Sequence, residues 1–350
     1  MMGKAVTQND IANALGLSRV TVSKVFNGYG KTSEETKRLV LEKARELGYR
    51  WADVTNETIT EPDNSLRVAF VCYMRDFNCN FWASIIRGIV KTLSKQKISL
   101  GIVLIPEKYE KICKLPSELY AESIDGLIVA GALSYDYFNL LYSLKKPMVS
   151  LDMEVKLYNT NRCCDVILSE NMDGYYHIVK LLCEAGYTKF AYIGGINCVQ
   201  SFRERWAGAM FALHECNVPV NSKWIATDGG TYTYYEENAI ENIINGYPEA
   251  PEVIITFNDN IAARINKMKL NNNCLNITND TVVVGFDNSL EWASCLENDF
   301  NVECYPEEMG EATADTIIWR MKHPNRPFRV IRTRVTTIIP DRFKNTNQAL

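Results

Sequence analysis

The chain has 350 residues, of which 47% are hydrophobic, so it is long enough for two or three domains with a sizeable core. Its net charge of −4 divides unevenly, because the first 50 residues hold nine Lys/Arg and five Asp/Glu and the remainder holds 29 and 37; a basic end on an acidic body is typical of a protein that meets phosphates at one end. No apolar run approaches the roughly 20 residues of a membrane span, and the 11 cysteines include no CxxC pair and follow no signal peptide. These features argue against a membrane protein and a small disulfide-bonded secreted domain, and we expect a cytoplasmic protein with reduced cysteines.

The first predicted element is a short helix that begins after Thr7, a favourable N-cap residue. Ile11, Ala14 and Leu15 are predicted to form its apolar face. Gly16 is expected to end the helix, because glycine adopts the left-handed conformation without steric cost.

A second helix is predicted to follow Ser18, which is placed to cap it. The offsets between Ala12, Gly16 and Val22 are those of a helix-turn-helix, in which the second helix enters the major groove of DNA. An ordinary helical hairpin that shares the same small residues is the alternative.

A third helix is predicted after Ser33, with acidic residues in its first turn. Leu39, Val40, Ala44 and Leu47 are expected to pack against the first two helices. Three short helices around so small a core are marginally stable alone.

The stretch TVSKVFNGYGKTSEETKRLVLEKARELGYR, from Thr21 to Arg50, resembles the N-terminal headpiece of the LacI/GalR family of bacterial transcriptional regulators. The similarity covers nearly all of residues 5–50, including TVS, the NG pair, SEETK and LGYR. It implies a sequence-specific DNA-binding domain at residues 1–50.

The resemblance also implies which residues meet DNA. Arg19 and Val20 are expected to face base edges, where Arg19 donates two hydrogen bonds to a guanine and Val20 contacts a thymine methyl group. Lys24 follows one turn later, although the family commonly has an arginine there, so bidentate readout does not carry over. The other expected DNA contacts, chiefly to phosphates, are Thr7, Ser18, Thr21, Ser23, Asn27, Lys31 and Ser33. For Ser18 and Ser33, helix capping alone is the alternative.

Residues 51–65, WADVTNETITEPDNS, depart from the family pattern. The family usually continues with Pro-Asn and a short hinge helix whose leucine enters the minor groove, and here Thr58 falls near that leucine. Glu57 would repel phosphates. The segment is either a hinge helix with Val54 or Ile59 as its apolar wedge or a flexible linker. In both cases we expect DNA binding with less bending.

From Leu66 onward, apolar runs alternate with helical stretches. This alternation predicts an α/β fold of parallel sheets with helices on both faces. It resembles the two-lobed, periplasmic-binding-protein-like sensor that follows the headpiece in this family. The resemblance implies a body at residues 66–340, with a first lobe at roughly 66–168 and a second at roughly 169–295, and a tail at 341–350. The predicted strands lie in LRVAFVCYM, ISLGIVLI, DGLIVAG, KPMVSLD, KFAYIGG, EVIITFND and TVVVGFD.

In such sheets a ligand binds beyond the carboxyl ends of the strands, in the crevice between the lobes. Asp152 ends one strand run, Asn258 and Asp259 end a second, and Asp287 ends a third. Arg205 matches the effector-binding arginine of the family in its R-x-x-G pattern. A guanidinium and carboxylates that converge on one cleft suit a polyhydroxylated ligand, because each forms paired hydrogen bonds with neighbouring hydroxyls.

Three aromatic residues complete the predicted effector site. Phe81 and Trp82 lie where the family often has an aromatic side chain that stacks on the ligand, and Tyr232 is a weaker candidate. The alternatives are a place in the lobe core for Trp82 and a helix-capping role for Asp259.

Signals of catalysis are absent from the sequence. It contains no GxGxxG, GxxxxGK[ST] or GxSxG motif, and His177, His214 and His323 have no metal-binding spacing. We therefore predict neither an enzyme nor a cofactor or metal site.

These observations predict a homodimeric, sequence-specific transcriptional regulator, expected to repress carbohydrate-utilisation genes. Its expected partners are a pseudo-palindromic double-stranded DNA operator and a small-molecule effector, most simply a sugar, bound between the lobes. Whether the effector releases or recruits the protein stays open. The alternative is a small-molecule sensor whose DNA binding is weakened by the atypical hinge.

Overall fold

The structure is a computed structural model that divides into two compact units, Met1–Asn64 and Ser65–Leu350. The predicted hinge at residues 51–65 and the Lys31 contact lie outside the described residues. The structure describes residues 6–27, 32–47, 66–74, 80–120, 124–160, 164–230, 232–271 and 276–344.

The first unit contains helices α1 (Gln8–Leu15), α2 (Arg19–Asn27) and α3 (Glu34–Glu46). Gly16 ends α1 with a φ of 64°, which permits the sharp turn into α2. The small core of this unit contains Ile11, Ala12, Val22, Val40 and Ala44.

Two of the predicted core contacts in this unit are wrong. Ala14 is exposed, because Ile11 and Leu15 mark the inward face of α1 and Ala14 falls beside it. Leu39 is 42% exposed, because the inward face of α3 follows Val40 and Ala44, four residues apart.

The second unit contains two parallel sheets and one antiparallel pair. The strands are β1 (Arg67–Tyr73), β2 (Ser99–Ile105), β3 (Gly126–Ala130), β4 (Met148–Leu151), β5 (Asp165–Ser169), β6 (Phe190–Ile193), β7 (Ile225–Ala226), β8 (Val253–Thr256), β9 (Val282–Val284), β10 (Asn301–Glu303), β11 (Val330–Thr333) and β12 (Thr336–Ile338). The first sheet has the order β11-β5-β4-β3-β1-β2 and the second has the order β7-β6-β8-β9, while β10 pairs with β12. We call the first sheet with its helices lobe 1 and the second sheet with its helices lobe 2.

Helices cover both sheets and follow the strands in the chain. They are α4 (Asn80–Lys95), α5 (Glu107–Lys111), α6 (Tyr135–Tyr142), α7 (Val155–Thr160), α8 (Asn171–Glu184), α9 (Gln200–Glu215), α10 (Ala239–Asn245), α11 (Asp259–Asn271), α12 (Ala293–Leu296), α13 (Pro306–Lys322) and α14 (Asp341–Lys344), with 3-10 turns at Ser117–Tyr120, Ser222–Trp224 and Thr233–Tyr235. The chain returns to lobe 1 through α13 and β11, since α13 packs on α4 and β11 pairs with β5. The prediction of parallel α/β sheets flanked by helices is confirmed.

Helices α4 and α13 cross at two glycines. A Cβ atom on Gly88 would lie 2.0 Å from the carbonyl oxygen of Glu307, and one on Gly310 would lie 2.0 Å from that of Ile85. Only glycine therefore allows the two backbones to approach this closely.

Two strands of lobe 1 were not predicted from the sequence, and the burial predicted for a third is wrong. β5 and β11 were not among the predicted runs, although together they form one side of the sheet. β2 was expected to be a buried strand, but it lies at the edge of the sheet, where Ile102 is 47% exposed. No helix in the described ranges has the length and apolar character needed to cross a lipid bilayer.

Candidate functional site

The predicted DNA-reading residues lie at the exposed start of α2. Arg19 and Lys24 are exposed, and Val20 is 63% exposed despite its apolar side chain. An isopropyl group with this exposure is available for a contact with another molecule.

The predicted phosphate contacts include three residues that also cap helices. Thr7 accepts a hydrogen bond from the Asp10 amide at 3.4 Å in a capping box, and Ser18 accepts one from the Thr21 amide at 3.1 Å. Ser33 accepts one from the Thr36 amide at 3.2 Å. Capping therefore occurs at these residues and fixes the ends of the helices. Thr21 and Ser23 are half-buried on α2, and Asn27 is its last residue.

The second unit contains a cavity of about 620 Å³ between its two lobes, a size in the usual range for small-molecule sites. Its walls come from the segments that follow the carboxyl ends of β1, β3, β4 and β5 in lobe 1 and of β6, β8 and β9 in lobe 2. The structure brings all eight predicted effector residues together on this wall: Phe81, Trp82, Asp152, Arg205, Tyr232, Asn258, Asp259 and Asp287.

Arg205 is held from three sides at the floor of the cavity. Its Nε donates to Asn171 Oδ1 at 3.0 Å, its Nη1 donates to the Phe257 carbonyl oxygen, and its Nη2 lies 3.5 Å from Asp287 Oδ1. The guanidinium carbon lies 3.5 Å from the centroid of the Phe286 ring. Only 6% of the Arg205 side chain is exposed, so its position and charge are fixed before any ligand arrives.

Asp287 and Asp259 form a pair of acidic groups beside this arginine. Burial raises the pKa of Asp259 to about 8, and the negative charge of Asp287 adds to the rise. Burial also raises the pKa of Asp287 to about 6, while the Arg205 guanidinium opposes that rise. At neutral pH, Asp259 is therefore mainly protonated and Asp287 is mainly ionised.

The two carboxyl groups differ in the hydrogen bonds that the protein supplies. Asp259 accepts one from the Ser289 amide at 2.7 Å and one from Asn301 Nδ2 at 2.9 Å, so both of its oxygens are occupied. The Asp287 carboxylate can still accept hydrogen bonds from a ligand in the cavity. Its backbone φ of 106° is one that side-chain-bearing residues rarely adopt. Asn258, next to Asp259, donates from Nδ2 to the Tyr235 hydroxyl at 2.8 Å and accepts from the Ile261 amide at 3.3 Å.

Asp152 belongs to lobe 1 but binds the first turn of α9 in lobe 2. Its oxygens accept hydrogen bonds from the Ser201 hydroxyl, from the Ser201 amide at 3.2 Å and from the Met153 amide at 2.7 Å. Burial raises its pKa, and the Ser201 and Met153 donors oppose this effect. The carboxylate thus joins the lobes across the cavity wall.

A second contact between the lobes involves the same helix. Glu204 of α9 accepts from both terminal nitrogens of Arg332 on β11, each at 2.6 Å. Asn171 Nδ2 also donates to Glu204 at 3.3 Å, and Asn171 is the residue that accepts from Arg205. The cavity arginine is therefore part of the network that ties α9 to lobe 1.

The aromatic residues have both structural and cavity contacts. Trp82 lines the cavity and packs against Phe70 of the lobe 1 core, with ring centroids 6.2 Å apart. Phe81 is its neighbour at 5.2 Å. Tyr232, from lobe 2, places its ring 5.7 Å from that of Tyr73 in lobe 1, so it spans the cleft.

Sequence reasoning missed about two thirds of the residues that line the cavity. Ser201 had a usable signal, since it lies one helical turn before Arg205. Tyr235 and Trp292 had none, because they lie in a 3-10 turn and in the turn before α12, and the position of these short segments depends on the packing of lobe 2.

Each of the two units matches a model of a known protein family. A family model described as "Periplasmic binding proteins and sugar binding domain of LacI family" matches residues 67–332. A second, described as "Bacterial regulatory proteins, lacI family", matches residues 7–51. The ribose operon repressor of Haemophilus influenzae is 24% identical over 339 residues, which cover 95% of this chain and 97% of that protein.

Two solved structures share the fold over nearly the whole chain. The complex of the transcriptional regulator CelR with cellobiose has a TM-score of 0.67 at 20% identity, covering 96% of this chain and 99% of that one. The lac repressor dimer bound to operator and the anti-inducer ONPF has a TM-score of 0.63 at 19% identity, covering 96% and 98%.

Proposed function

The chain belongs to the LacI family of bacterial regulatory proteins, and from this premise we propose that it is a DNA-binding repressor of carbohydrate-utilisation genes controlled by a small molecule. The family consists of transcriptional regulators, which agrees with the expectation that the chain is not an enzyme. The observation that carries the proposal is the cavity of about 620 Å³, in which strand ends of both lobes surround Arg205.

We assign residues 1–50 to a DNA-binding headpiece, 51–65 to a hinge, 66–340 to an effector-binding and dimerisation body and 341–350 to a tail. The limits of the two matching family models, at residues 7–51 and 67–332, support this division.

DNA binding begins with α2 in the major groove. Arg19 and Val20 read base edges, Lys24 assists them, and the residues that cap the helices hold the phosphates. The exposure of Arg19, Val20 and Lys24 supports this assignment. The protein acts as a homodimer on a pseudo-palindrome, as the similarity in fold to a repressor dimer on its operator suggests. Its operator-binding role implies a cytoplasmic location.

The effector is a hydroxylated small molecule of the sugar class. The ribose operon repressor and the CelR–cellobiose complex are both named for sugars, which supports this choice. Arg205, Asn258 and Asp287 bind its hydroxyls, and Phe81 and Trp82 pack on its apolar face. Asp152 and Asp259 position other residues, since the protein already occupies their oxygens.

Effector binding changes DNA binding through α9. This helix carries Arg205 in the cavity together with Ser201 and Glu204, which bind Asp152 and Arg332 of lobe 1. A ligand that bonds to Arg205 therefore acts on the helix that sets the relation between the lobes, and this relation is the two-state element that couples the two sites.

The experiment that tests the proposal is fluorescence anisotropy of full-length protein on a labelled duplex that it has selected from a random pool. Addition of an effector from a sugar panel should change the apparent Kd about 5- to 150-fold. A response that survives in Arg205→Ala would show that the effector acts elsewhere, and a panel without any active sugar would contradict the effector class.

The alternative of a sensor with weakened DNA binding is not favoured. The regulatory-protein family model extends over residues 7–51, so the headpiece retains the family pattern despite the departures that follow it.

A further inference from the structure

The two walls of the cavity differ in chemistry. The lobe 1 wall is largely apolar and includes Trp82, Leu151 and Met309, and among its described residues Asp152 is the charged one. The Asp152 carboxylate already accepts hydrogen bonds from Met153 and Ser201. The polar groups left for a ligand therefore lie mainly on lobe 2, and a bound molecule must present its apolar face to lobe 1.

Carboxyl groups outnumber cationic side chains in the described part of the cavity lining. Within the described ranges, five carboxyl groups line it and Arg205 is the single cationic side chain. Arg205 is already matched by Asp287 and bonded to two other acceptors. An anionic ligand would thus meet carboxylates without a free cation to balance it. The five carboxyl groups belong to Asp152, Glu236, Asp259, Asp287 and Glu291.

The rim on lobe 2 combines carboxylates with aromatic rings. Glu236 follows Tyr235 and Glu291 precedes Trp292, and all four residues line the cavity. Both glutamates are exposed, and no ion pair with either is formed by the residues that the structure describes. A carboxylate beside an aromatic face attracts an ammonium group both by charge and by the cation–π interaction.

The rings at this rim already attract cations from outside the cavity. Lys267 Nζ lies 5.0 Å from the centroid of the Trp292 ring, and the guanidinium carbon of Arg264 lies 5.8 Å from that of Tyr235. Neither cation lines the cavity. They partly offset the charge of the two rim glutamates from outside the cavity.

One further acceptor in the cavity lining lacks a hydrogen-bond donor among the described residues. Asn260 lines the cavity, and its buried Oδ1 has no hydrogen-bond partner among the described residues. A buried acceptor without a partner is costly, and a ligand that supplies a donor removes that cost. Both the two rim carboxylates and this amide oxygen favour a ligand rich in donors.

We propose that the effector carries a positively charged amine beside its hydroxyls, as an amino sugar does. Glu236 and Glu291 attract this amine, and Asp287 and Asn260 accept hydrogen bonds from the effector. The inference rests on the proposed role of the cavity as the effector site and specifies the chemistry of its ligand. It excludes sugar phosphates and other anions as effectors.

Calorimetric titration of the full-length protein tests this proposal with matched ligands. The panel contains glucose, galactose and mannose, their 2-amino and 6-phosphate derivatives, and cellobiose with its β-1,4-linked glucosamine counterpart. Titration at about pH 6.5 keeps the amines protonated, since comparable α-amino groups have a pKa of roughly 8. At least one amine should bind about tenfold more tightly than its hydroxyl counterpart, and the phosphates should not bind.

Variants that remove the charge of a rim glutamate distinguish electrostatic attraction of the amine from the fit of the ligand to the shape of the cavity. Glu236→Gln and Glu291→Gln should each weaken amine binding about three- to tenfold and leave binding of the neutral counterpart unchanged. Glu237→Gln and Glu297→Gln, which alter exposed glutamates outside the cavity lining, are the matched controls.

The proposal is overturned if a phosphate binds, if a neutral sugar binds as tightly as its amine, or if no amine in the panel binds. DNA selection on the same preparation separates this failure from a failure of the proposed function. An enriched operator together with a neutral or anionic effector would remove the amine inference alone, whereas absence of both an operator and a ligand would remove the regulatory function.

Discussion

The Nη2 atom of Arg205 lies 3.5 Å from Oδ1 of Asp287, and the two side chains meet at the floor of the cleft between the lobes. Arg205 belongs to α9, the helix whose N-terminal part also binds lobe 1 through Ser201 and Glu204. A ligand that alters the Arg205–Asp287 contact therefore acts directly on the connection between the lobes.

Replacement of this arginine should uncouple the effector from DNA. Arg205→Ala removes the hydrogen bonds to Asn171 and Phe257 and leaves Asp287 without its cation, so effector binding should fall by at least about a hundredfold. Operator affinity of the folded dimer should change little. Calorimetry and anisotropy measure the two affinities, and Arg203→Ala, on the same helix but outside the cavity lining, is the control. Normal effector binding by Arg205→Ala would remove this residue from the site.

Replacement of the proposed base-reading arginine should relax DNA specificity. Arg19→Ala should cost about 1–3 kcal/mol on the best operator and much less on mismatched sequences, because a bidentate contact to guanine is lost. Arg38→Ala is the control, since Arg38 is exposed on α3 and lies 3.6 Å from Glu42. Competition binding against operator variants gives the specificity ratio. An unchanged preference at every position would show that Arg19 does not read a base.

The link between α9 and lobe 1 should be measurable as a coupling energy. Glu204→Gln and Arg332→Gln each break the two-point ion pair of 2.6 Å contacts. A double-mutant cycle on the free energy of unfolding of the body should give a coupling of about 0.5–3 kcal/mol, at the lower end because Arg332 is 32% exposed. Lys189→Gln with Glu249→Gln, an exposed pair, should couple by less than about 1 kcal/mol. Equal coupling in both cycles would show that burial adds nothing to the link.

The acidic pair at the cleft should make stability depend on pH. Burial raises the pKa of Asp259 from 3.8 to about 8, so folding takes up a proton between these values. The stabilisation that results from this proton uptake is therefore fully present below about pH 4 and is lost as the pH rises toward about 8. Over this range the free energy of unfolding decreases by up to about 1.4 kcal/mol per pH unit. Asp287, with a pKa raised to about 6, adds an effect of the same sign at lower pH.

Thermal unfolding at several pH values checks this prediction. The unfolding temperature should decrease as the pH is raised from about 6 to about 8. This decrease should be smaller in Asp259→Asn, whatever the absolute stability of that variant. Asp280→Asn, which changes an exposed aspartate of lobe 2, should keep the slope of the parent protein. A parent-like slope in Asp259→Asn would assign the pH dependence to other groups.

The crossing of α4 and α13 gives a test of packing. Gly310→Ala would place a Cβ atom 2.0 Å from the Ile85 carbonyl oxygen, so it should destabilise the body by about 1–3 kcal/mol or more. Gly101→Ala, where nothing lies within 4 Å of the added carbon, should be close to neutral. Denaturant unfolding compares the two, and equal stability would contradict the close helix contact.

Local sequence patterns were sufficient to predict the fold class and four of the cavity residues that end or follow strands, namely Asp152, Asn258, Asp259 and Asp287. Asp152, Asn258 and Asp287 could be placed because the carboxyl ends of parallel strands always face the cleft. β5 and β11 were missed because each is a short run that begins or ends with polar residues, and its place beside other strands depends on contacts distant in sequence.

The roles of individual carboxyl groups could not be read from sequence. Asp152 and Asp259 have the same local setting as Asp287, at or just after the end of a strand, yet their oxygens are occupied by Ser201, Met153, Ser289 and Asn301. Apart from Met153, which directly follows Asp152, these partners come from other segments of the chain, so only the folded arrangement distinguishes a ligand-facing carboxylate from a structural one.

Selection of binding sites from a random duplex pool by the purified full-length protein, at physiological salt, tests the central claim most directly. A dimeric regulator should enrich one pseudo-palindromic sequence, and Arg19→Ala should lose the preference at symmetric positions of both half-sites. Failure of the folded, dimeric protein to enrich any sequence, with or without the sugar and amino-sugar panel, would contradict the assignment as a sequence-specific repressor.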